Sequence, residues 1–247
     1  MSSIGRSSMA QKKQILVPER IKFKLLRIPL IEGINIWTRP ANIRAFLMKR
    51  IKINRYLKNH RIIKLHLGCG KTRLKGWLNS DVHRGEIYLN VKKIFPFDNE
   101  SIDFIFSEHL IEHLSLRDAR YLLKECNRIL KKGGVMRIST PDLEFYAKLY
   151  LGQFENITLD DFSQRIRPIY PKTPAPCVFM NEILTLFGHK FTYDREFLKY
   201  LCGQAGFTKM TDVEYGLSEY SELMMLEQHT SIKWVQNRAT ILLECSK

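Results

Sequence analysis

The stretch LHLGCGKTRLKGWLNSD, residues 65–81, decides the fold of this chain. An apolar strand runs into a Gly-Cys-Gly turn, and a second strand follows that ends in Asp81. In open α/β sheets, ligands bind at such a turn because backbone N–H groups point outward there and glycine lets the ligand approach. An acid at the end of the next strand suits a ribose, whose two hydroxyls can both donate to one carboxylate. Taken alone the turn is weak evidence, since glycine is common wherever a turn needs positive φ.

Predicted strands and helices alternate along the rest of the chain, which is typical of a mostly parallel sheet with helices on its faces. Residues 115–134, SLRDARYLLKECNRILKKGG, predict the clearest helix, capped by Ser115 and Asp118 and closed by residues 131–133. A second helix is predicted over residues 194–207. We therefore predict an α/β fold, with a mostly parallel seven-stranded sheet and helices on both faces. The seven predicted strands are IIKLHL, WLNSDV, EIYLNV, IDFIFS, VMRIST, KMTDVEYG and ATILLECS.

Composition indicates one main domain in a reducing compartment. The chain has 247 residues, 45% of them hydrophobic, which is enough for one sizeable core. Its five cysteines are scattered and form no C-x-x-C pair, so neither a disulfide framework nor a zinc knuckle is indicated. No apolar run approaches the roughly 18 residues of a membrane span, and the start lacks a signal-peptide pattern. We predict a cytoplasmic protein.

The net charge of +15 is concentrated in an N-terminal arm. The first 64 residues hold sixteen Lys or Arg against only Glu19 and Glu32. After Pro40, ANIRAFLMKRIKINRYL predicts an amphipathic basic helix with an apolar stripe of Ile43, Phe46, Leu47, Ile51 and Tyr56 or Leu57. We expect an arm at residues 1–60, partly disordered at its start, and a main domain at residues 61–247.

Two roles for this arm stay open. A basic face opposite an apolar face suits an anionic bilayer, so residues 12–58 are candidates for peripheral contact with the inner membrane surface. Alternatively, the helix lies on its own domain with its lysines in solvent. Nucleic acid is a weaker candidate partner, because charge is the only signal for it. Between residues 142 and 190 four prolines and a looser pattern predict a cap or insertion.

Five ordered motifs resemble class I S-adenosylmethionine-dependent methyltransferases. They are LHLGCG, the acid Asp81, FPFDNESID at residues 95–103, SEHLIEHL at residues 107–114 and NRILKKGG at residues 127–134, followed by a family-like AGF segment at residues 205–207. Each motif is unspecific alone, whereas the ordered set is specific. The resemblance covers about residues 62–140 and 188–246, and it implies a Rossmann-like fold, the cofactor S-adenosylmethionine and transfer of its methyl group.

The resemblance also implies a cofactor site. The loop Gly68, Cys69 and Gly70, with Lys71 after it, would face the methionine part. Asp81 would hold the ribose. The remaining implied contacts are Val82 with the adenine, Asn90 or Val91 with the edge of the base, and Glu108 at the end of the fourth strand.

Two features depart from the family pattern. Only eleven positions separate Gly70 from Asp81, so the helix that usually fills this interval must be one turn long or absent. We expect the N-terminal arm to fill that side. Asn90 stands where many members carry an acid, and its amide oxygen accepts a hydrogen bond less strongly than a carboxylate.

Candidate catalytic residues follow the fourth strand. Methyl transfer is an in-line displacement that needs a base only if the acceptor must lose a proton. Glu108 and His109 lie at that point, with Glu112 and His113 one turn further along a predicted helix, and His109 is the first candidate for the base, with His113 second. His189 and Tyr193 could reach the acceptor from the cap. The same letters spell H-x-x-E-H, an inverted zinc-peptidase arrangement, which we hold as a minor alternative to a site without metal.

The sequence narrows the acceptor without naming it. SEHL lacks the [DN]-P-P-[YFW] pattern of methyltransferases that act on base amines or glutamine amides. We therefore expect a hydroxyl or similar group on a small molecule, a glycan or a lipid-linked precursor, by analogy with compact relatives in cell-surface polysaccharide assembly. The alternative is a non-catalytic scaffold that keeps the fold and uses its basic arm on an anionic surface. The oligomeric state stays open.

Overall fold

The structure is a computed structural model that describes residues 40–158, 176–185, 188–228 and 238–247. The predicted disorder at the start of the arm, its stretch before residue 40 and the prolines at 168, 171 and 174 lie outside these residues. Among the described helices, none has both the length and the apolarity needed to cross a membrane.

Seven strands, five α-helices and two short 3-10 helices make up the described chain. In order they are α1 Pro40–Asn59, β1 Lys64–Leu67, β2 Leu78–Asp81, β3 Ile87–Tyr88, β4 Ile102–Glu108, a 3-10 helix Ile111–His113, α2 Leu116–Ile129, β5 Leu130–Pro141, α3 Leu143–Tyr150, α4 Pro176–Thr185, α5 Arg195–Gln204, β6 Lys209–Asp212, a 3-10 helix Ser221–Leu223 and β7 Thr240–Ser246. All seven predicted strands are present.

The strands form one sheet in the order β3-β2-β1-β4-β5-β7-β6. Strands β1 to β5 run parallel to one another, and β7 runs antiparallel to both β5 and β6. The chain winds outward from β1 in one direction and then returns to the other side of β1 with β4. The order therefore reverses between β1 and β4, where open α/β sheets bind their ligands.

Alternate side chains of each strand pack on opposite faces of the sheet. In β4, Ile105 belongs to the larger core, together with residues of α1, α2 and α5. The next residue, Phe106, belongs to a second cluster with Leu74, Trp77 and residues of the 3-10 helix Ser221–Leu223. Burial on both faces explains why this strand reads as a continuous apolar run.

Helix α1 forms where the sequence predicts it, and the predicted apolar stripe is buried at Tyr56 but not along its whole length, while the side chains of Ile43 and Phe46 lie outside the described ones. Ile53 and Tyr56 are buried in the larger core. Leu47 and Ile51, which we expected on the apolar stripe, are each 48% exposed. The helix carries more than one run of apolar residues, and helical periodicity alone does not decide which run meets the domain.

Helix α2 begins as predicted and ends earlier than predicted. The Ser115 hydroxyl accepts the Asp118 N–H, which satisfies one of the donors at the helix start. The helix stops at Ile129 because Leu130 is already extended and pairs with Ile102 at the start of β5. Residues 131–133 therefore belong to the strand. In α5, Asp194 caps the first turn through the Phe197 N–H.

Candidate active site

The glycine loop lies at the edge where the carboxyl ends of the parallel strands meet. Gly68 and Gly70 have φ angles of 64° and 51°, in the left-handed region that favours glycine. A Cβ at Gly68 would come within 3.0 Å of the Leu110 side chain, so the chain that follows β4 packs directly on this loop. A Cβ at Gly70 would meet nothing within 4 Å. Gly70 therefore has open space beside it.

Asp81 joins the glycine loop to the end of β2. Its Oδ2 accepts the Gly70 N–H at 3.3 Å, and its Oδ1 accepts the N–H groups of His83 and Arg84 at 2.6 and 3.0 Å. Partial burial alone raises the pKa of Asp81, but these three donors outweigh it and hold the pKa below its usual value. The carboxylate is thus ionised and already holds the turn together. A ribose would share it with the backbone.

The connection between Gly70 and Asp81 contains no helix, as its length requires. The described part of the arm packs beside it. The Tyr56 hydroxyl lies 2.9 Å from the Gly76 carbonyl and 3.0 Å from the Lys64 carbonyl, and Lys52 Nζ donates to the Glu86 carbonyl at 3.0 Å. Helix α1 therefore stabilises the shortened connection from the side.

A crevice of about 490 Å³ opens next to Gly70 and the end of β2. Its lining is basic, and apart from Gly70 and Lys71 its residues are ones that the sequence did not single out. The residues that line it are Gly70, Lys71, Arg73, His83, Arg84 and Gly85. Cationic side chains in such a place suit the carboxylate of a bound amino acid. Lys71 lines this crevice, and its contact with the methionine part stays a prediction.

The remaining predicted cofactor residues lie at neighbouring strand ends. Val82 is exposed directly after β2. Val91 is buried, two positions after Leu89, whose N–H donates to the Asp81 carbonyl at 3.2 Å. The Asn90 side-chain oxygen accepts the Lys92 N–H at 3.0 Å, so it shapes its own turn. Both carboxylate oxygens of Glu108 accept the Gln228 N–H, at 3.0 and 3.2 Å. Contact with an adenine or a methionine group stays a prediction for all of these residues.

His109 occupies a strained position directly after β4. Its φ angle is 48°, which is uncommon for a residue other than glycine and often marks a functional site. The ring Nδ1 lies 2.9 Å from Oε1 of Glu112, which is fully buried. Burial alone raises the pKa of Glu112, but the hydrogen bond and charge of His109 hold it below its usual value. The carboxylate therefore accepts the Nδ1 proton and orients the imidazole.

A buried network surrounds Glu112, and the sequence did not predict all of its members. Thr140, at the end of β5, lies 3.1 Å from Oε2 of Glu112 through its hydroxyl. The backbone N–H groups of Lys190 and Phe191 donate to the Glu112 carbonyl at 2.7 and 3.2 Å. These contacts bring residues 188–193 onto the strand ends. In the sequence, the signal for Thr140 is a polar residue at the end of an apolar strand.

His113 does not share a helical face with His109. Only Ile111–His113 is helical here, and it is a 3-10 turn, so the α-helix required by the H-x-x-E-H hypothesis is not present. The His113 ring instead packs edge-on against His189, with ring centroids 5.0 Å apart. The inverted zinc-peptidase arrangement is therefore wrong. The predicted reach of His189 toward this edge agrees with its position.

Unpartnered polar groups also concentrate near this edge. Among the described residues, five side chains have a buried polar atom with no hydrogen-bond partner. Four of them lie at the ends of β4 and β5 or just before α5: Ser107, Ser139, Thr192 and Tyr193. Buried hydroxyls are normally bonded to protein or to ordered water, so this edge holds hydrogen-bonding capacity that the described residues do not use.

The open space at Gly70, the ionised Asp81 and the basic lining together fit a ligand with a ribose and an amino-acid carboxylate. Residues 71–138 match the family model described as a methyltransferase domain. This stretch of the chain is therefore similar to methyltransferase domains. The cofactor that such a domain implies is S-adenosylmethionine, and Gly68, Gly70, Lys71 and Asp81 are the residues that would hold it here.

Among the solved structures that are similar to this chain, two have descriptions as methyltransferases. One, from Mesorhizobium loti, is an S-adenosylmethionine-dependent methyltransferase with 14% identity and a TM-score of 0.47, covering 75% of this chain and 91% of that one. Another, from Thermotoga maritima, is described as a possible histamine N-methyltransferase, with 18% identity and a TM-score of 0.44, covering 83% of this chain and 93% of that one. We found no match among curated proteins.

Proposed function

We propose that this methyltransferase domain methylates a hydroxyl oxygen of a small molecule, glycan or lipid-linked acceptor. The observation that supports it best is the hydrogen bond of 2.9 Å between His109 Nδ1 and the buried carboxylate of Glu112. A neutral hydroxyl is a poor nucleophile, so its oxygen needs a base that removes its proton as the new bond forms. An imidazole oriented by a buried carboxylate is the arrangement that serves this purpose in other enzymes.

The roles of the chain's own residues follow from this geometry. When bound, S-adenosylmethionine would supply a methyl group from its sulfonium, whose sulfur would be left as a neutral thioether. Glu112 accepts the Nδ1 proton of His109, which leaves Nε2 as the nitrogen that takes the proton of the acceptor hydroxyl. The acceptor oxygen forms the new bond to carbon. The Leu110 side chain packs on Gly68. His109 is the residue before Leu110 in the chain, so it lies close to the glycine loop.

The test uses the full chain and S-adenosylmethionine with a radiolabelled methyl group. Polar-lipid and oligosaccharide fractions serve as acceptors, and the product is hydrolysed to separate methyl ethers, methyl esters and methylamines. His109→Asn keeps the fold because asparagine tolerates positive φ. We expect it to lower the turnover about 100-fold or more while cofactor affinity stays unchanged.

His60→Asn is the matched control, because His60 lies outside the site and bonds the Tyr56 carbonyl through Nδ1. We expect this variant to keep full turnover. A labelled product that is a methylamine, or a His109→Asn enzyme with normal turnover, would show that the hydroxyl assignment is wrong.

We also propose that helix α1 docks on an anionic membrane surface, which would bring a lipid-linked acceptor to the domain. Three neighbouring apolar side chains of this helix are about half exposed: Leu47, Met48 and Ile51. The helix contains six Lys or Arg and no acid. An apolar patch among cations suits the boundary between headgroups and acyl chains of anionic lipid. This is also the surface that the scaffold alternative would use.

Vesicle pelleting tests the docking surface. The full-length protein is mixed with vesicles of phosphatidylcholine, with or without phosphatidylglycerol. We expect binding only to the anionic vesicles, with loss at high salt. Replacing Leu47, Met48 and Ile51 together by serine should abolish binding. Leu151→Ser, which changes an apolar residue that is 64% exposed outside α1, should leave binding intact. Equal loss in both variants would count against docking through this patch.

A further inference from the structure

Three side chains with metal-binding atoms meet beside the buried network. They are Glu112, His113 and His189, and their ligand atoms all lie within 4.8 Å of one another. The N–H groups of residues 190 and 191 donate to the Glu112 carbonyl, and these bonds bring His189 close to Glu112 and His113. The two rings are inclined at 70°, so their nitrogens approach one region from different directions.

The hydrogen bonds around this cluster fix the protonation of its side chains in a form that can bind a cation. His189 Nδ1 lies 2.8 Å from the Ile183 carbonyl, which can only accept, so Nδ1 carries the proton and the lone pair lies on Nε2. Histidines that bind metals usually donate their other ring N–H to a carbonyl or carboxylate in this way. Glu112 contributes an anionic oxygen from a site with no solvent exposure.

We infer that Glu112, His113 and His189 form a binding site for a divalent metal ion of the zinc type. Two imidazoles and one carboxylate are a ligand set that zinc prefers, and three protein ligands leave a fourth position for an oxygen of water or acceptor. Bonds of about 2.0–2.2 Å require the three side chains to draw closer together. His113 and His189 are partly exposed, which gives the ion a path to the buried carboxylate.

The other groups near Glu112 are compatible with this site. A carboxylate offers about four lone-pair positions, so Glu112 can keep His109 on Oε1 and Thr140 on Oε2 while it binds an ion. Tyr193, whose hydroxyl is buried without a partner, lies close enough to Glu112 for that charge to contribute to a raised pKa, after burial itself. The inferred set differs from the H-x-x-E-H hypothesis because His189 replaces His109.

Cobalt binding to the purified, untagged full chain tests the site without any methyl transfer. The protein is stripped with a chelator and titrated with Co²⁺, and both stoichiometry and visible absorption are measured. We expect one Co²⁺ per chain, displaced by Zn²⁺. His189→Ala and His113→Ala should each weaken binding at least about tenfold. His189→Gln and thermal melts show whether a loss reflects unfolding.

Two histidine variants serve as matched controls. His109→Asn distinguishes the inferred set from the H-x-x-E-H set and should keep the cobalt signal. His60→Ala should keep it as well, because His60 directly follows α1 and lies outside the cluster. Binding of less than one Co²⁺ per chain, or binding that a folded His189 variant retains in full, would overturn the inference. Neither result bears on whether the domain transfers methyl groups.

Discussion

Two buried polar clusters of this domain differ in how completely their atoms are bonded. On the second face of the sheet, Arg137 donates to the carboxylates of Glu227 and Glu244 and to the carbonyls of Leu217 and Glu214. Arginine keeps its charge at any physiological pH, and its planar group fixes the geometry of every partner. This cluster, the Arg137 cluster, holds the segment 214–227 against β5 and β7.

At the strand ends, the cluster of Glu112 with His109, His113, Thr140 and His189 is of another kind. Its nitrogen-bearing partners are imidazoles, a type of side chain that exchanges protons in catalysis and binds metals, in place of a permanent cation. Buried hydroxyls of neighbouring residues have no partner. Complete bonding by a permanent charge marks a structural cluster, whereas titratable partners and unpartnered hydroxyls mark a place where chemistry occurs.

We expect the largest effect from a substitution that breaks the Arg137 cluster. Arg137→Ala leaves two buried carboxylates without their cation, which costs about 3–5 kcal/mol of unfolding free energy. Urea unfolding measures the loss. Lys131→Ala is the control, since Lys131 pairs with Asp103 at 2.8 Å in a partly exposed position and should cost at most about 1 kcal/mol. Similar losses in the two variants would remove the distinction between this cluster and a surface ion pair.

Glu112→Gln tests the second cluster and should affect turnover more than stability. The amide keeps the shape but removes the charge that orients His109. We expect turnover to fall about 100-fold, in the range of general-base effects. We also expect a loss of about 1–3 kcal/mol in urea unfolding, which is typical for a weakened buried hydrogen bond. A variant with full turnover and low stability would show that Glu112 has a structural role, like the residues of the Arg137 cluster.

Asp81 shares features of the structural cluster and of the reactive one. It accepts hydrogen bonds from three backbone N–H groups, and it faces the proposed ribose position. Asp81→Asn replaces charge-assisted hydrogen bonds by neutral ones, so we expect affinity for S-adenosylmethionine to fall about tenfold. Calorimetry measures this affinity. Asp98→Asn, in an exposed turn, should leave it unchanged. An unchanged affinity in Asp81→Asn would limit this residue to a structural role.

We expect the smallest effect from a substitution of Tyr193, for which Tyr56 serves as the comparison. Tyr193→Phe removes a buried hydroxyl that has no partner, so the free energy of unfolding should change by less than about 0.5 kcal/mol. Tyr56→Phe removes a hydroxyl that contacts two carbonyls and should cost about 1–2 kcal/mol. A large loss of stability in Tyr193→Phe would mean that its hydroxyl is bonded in the folded protein.

The sequence was sufficient for the strands and for the glycine edge, because both depend on local patterns. Each strand is a short apolar run between turn residues, and Asp81 follows one of them directly. The end of α2 was predicted too late, since pairing of Leu130 with Ile102 is a contact between distant residues. Part of the apolar stripe of α1 was misplaced for a similar reason, because only packing on the domain shows that Ile53 faces the core.

The sequence predicted only part of the second cluster. Glu108, His109, Glu112 and His113 stand together in one motif, which predicted chemistry at that strand end. The role of Glu112 depends on Thr140 and on residues 188–191, which come from other parts of the chain. A sequence pattern places such residues in order along the chain and does not place them in contact.

The contact between Tyr56 and the connection after β1 has a consequence for how this protein is produced. A fragment trimmed to the motif-bearing residues would lack α1, and with it Ile53 and Tyr56. The larger core would open to water beside β1 and β2, and the carbonyls of Lys64 and Gly76 would lose a donor. Expression boundaries for this protein therefore belong upstream of Pro40, well before the first recognisable motif.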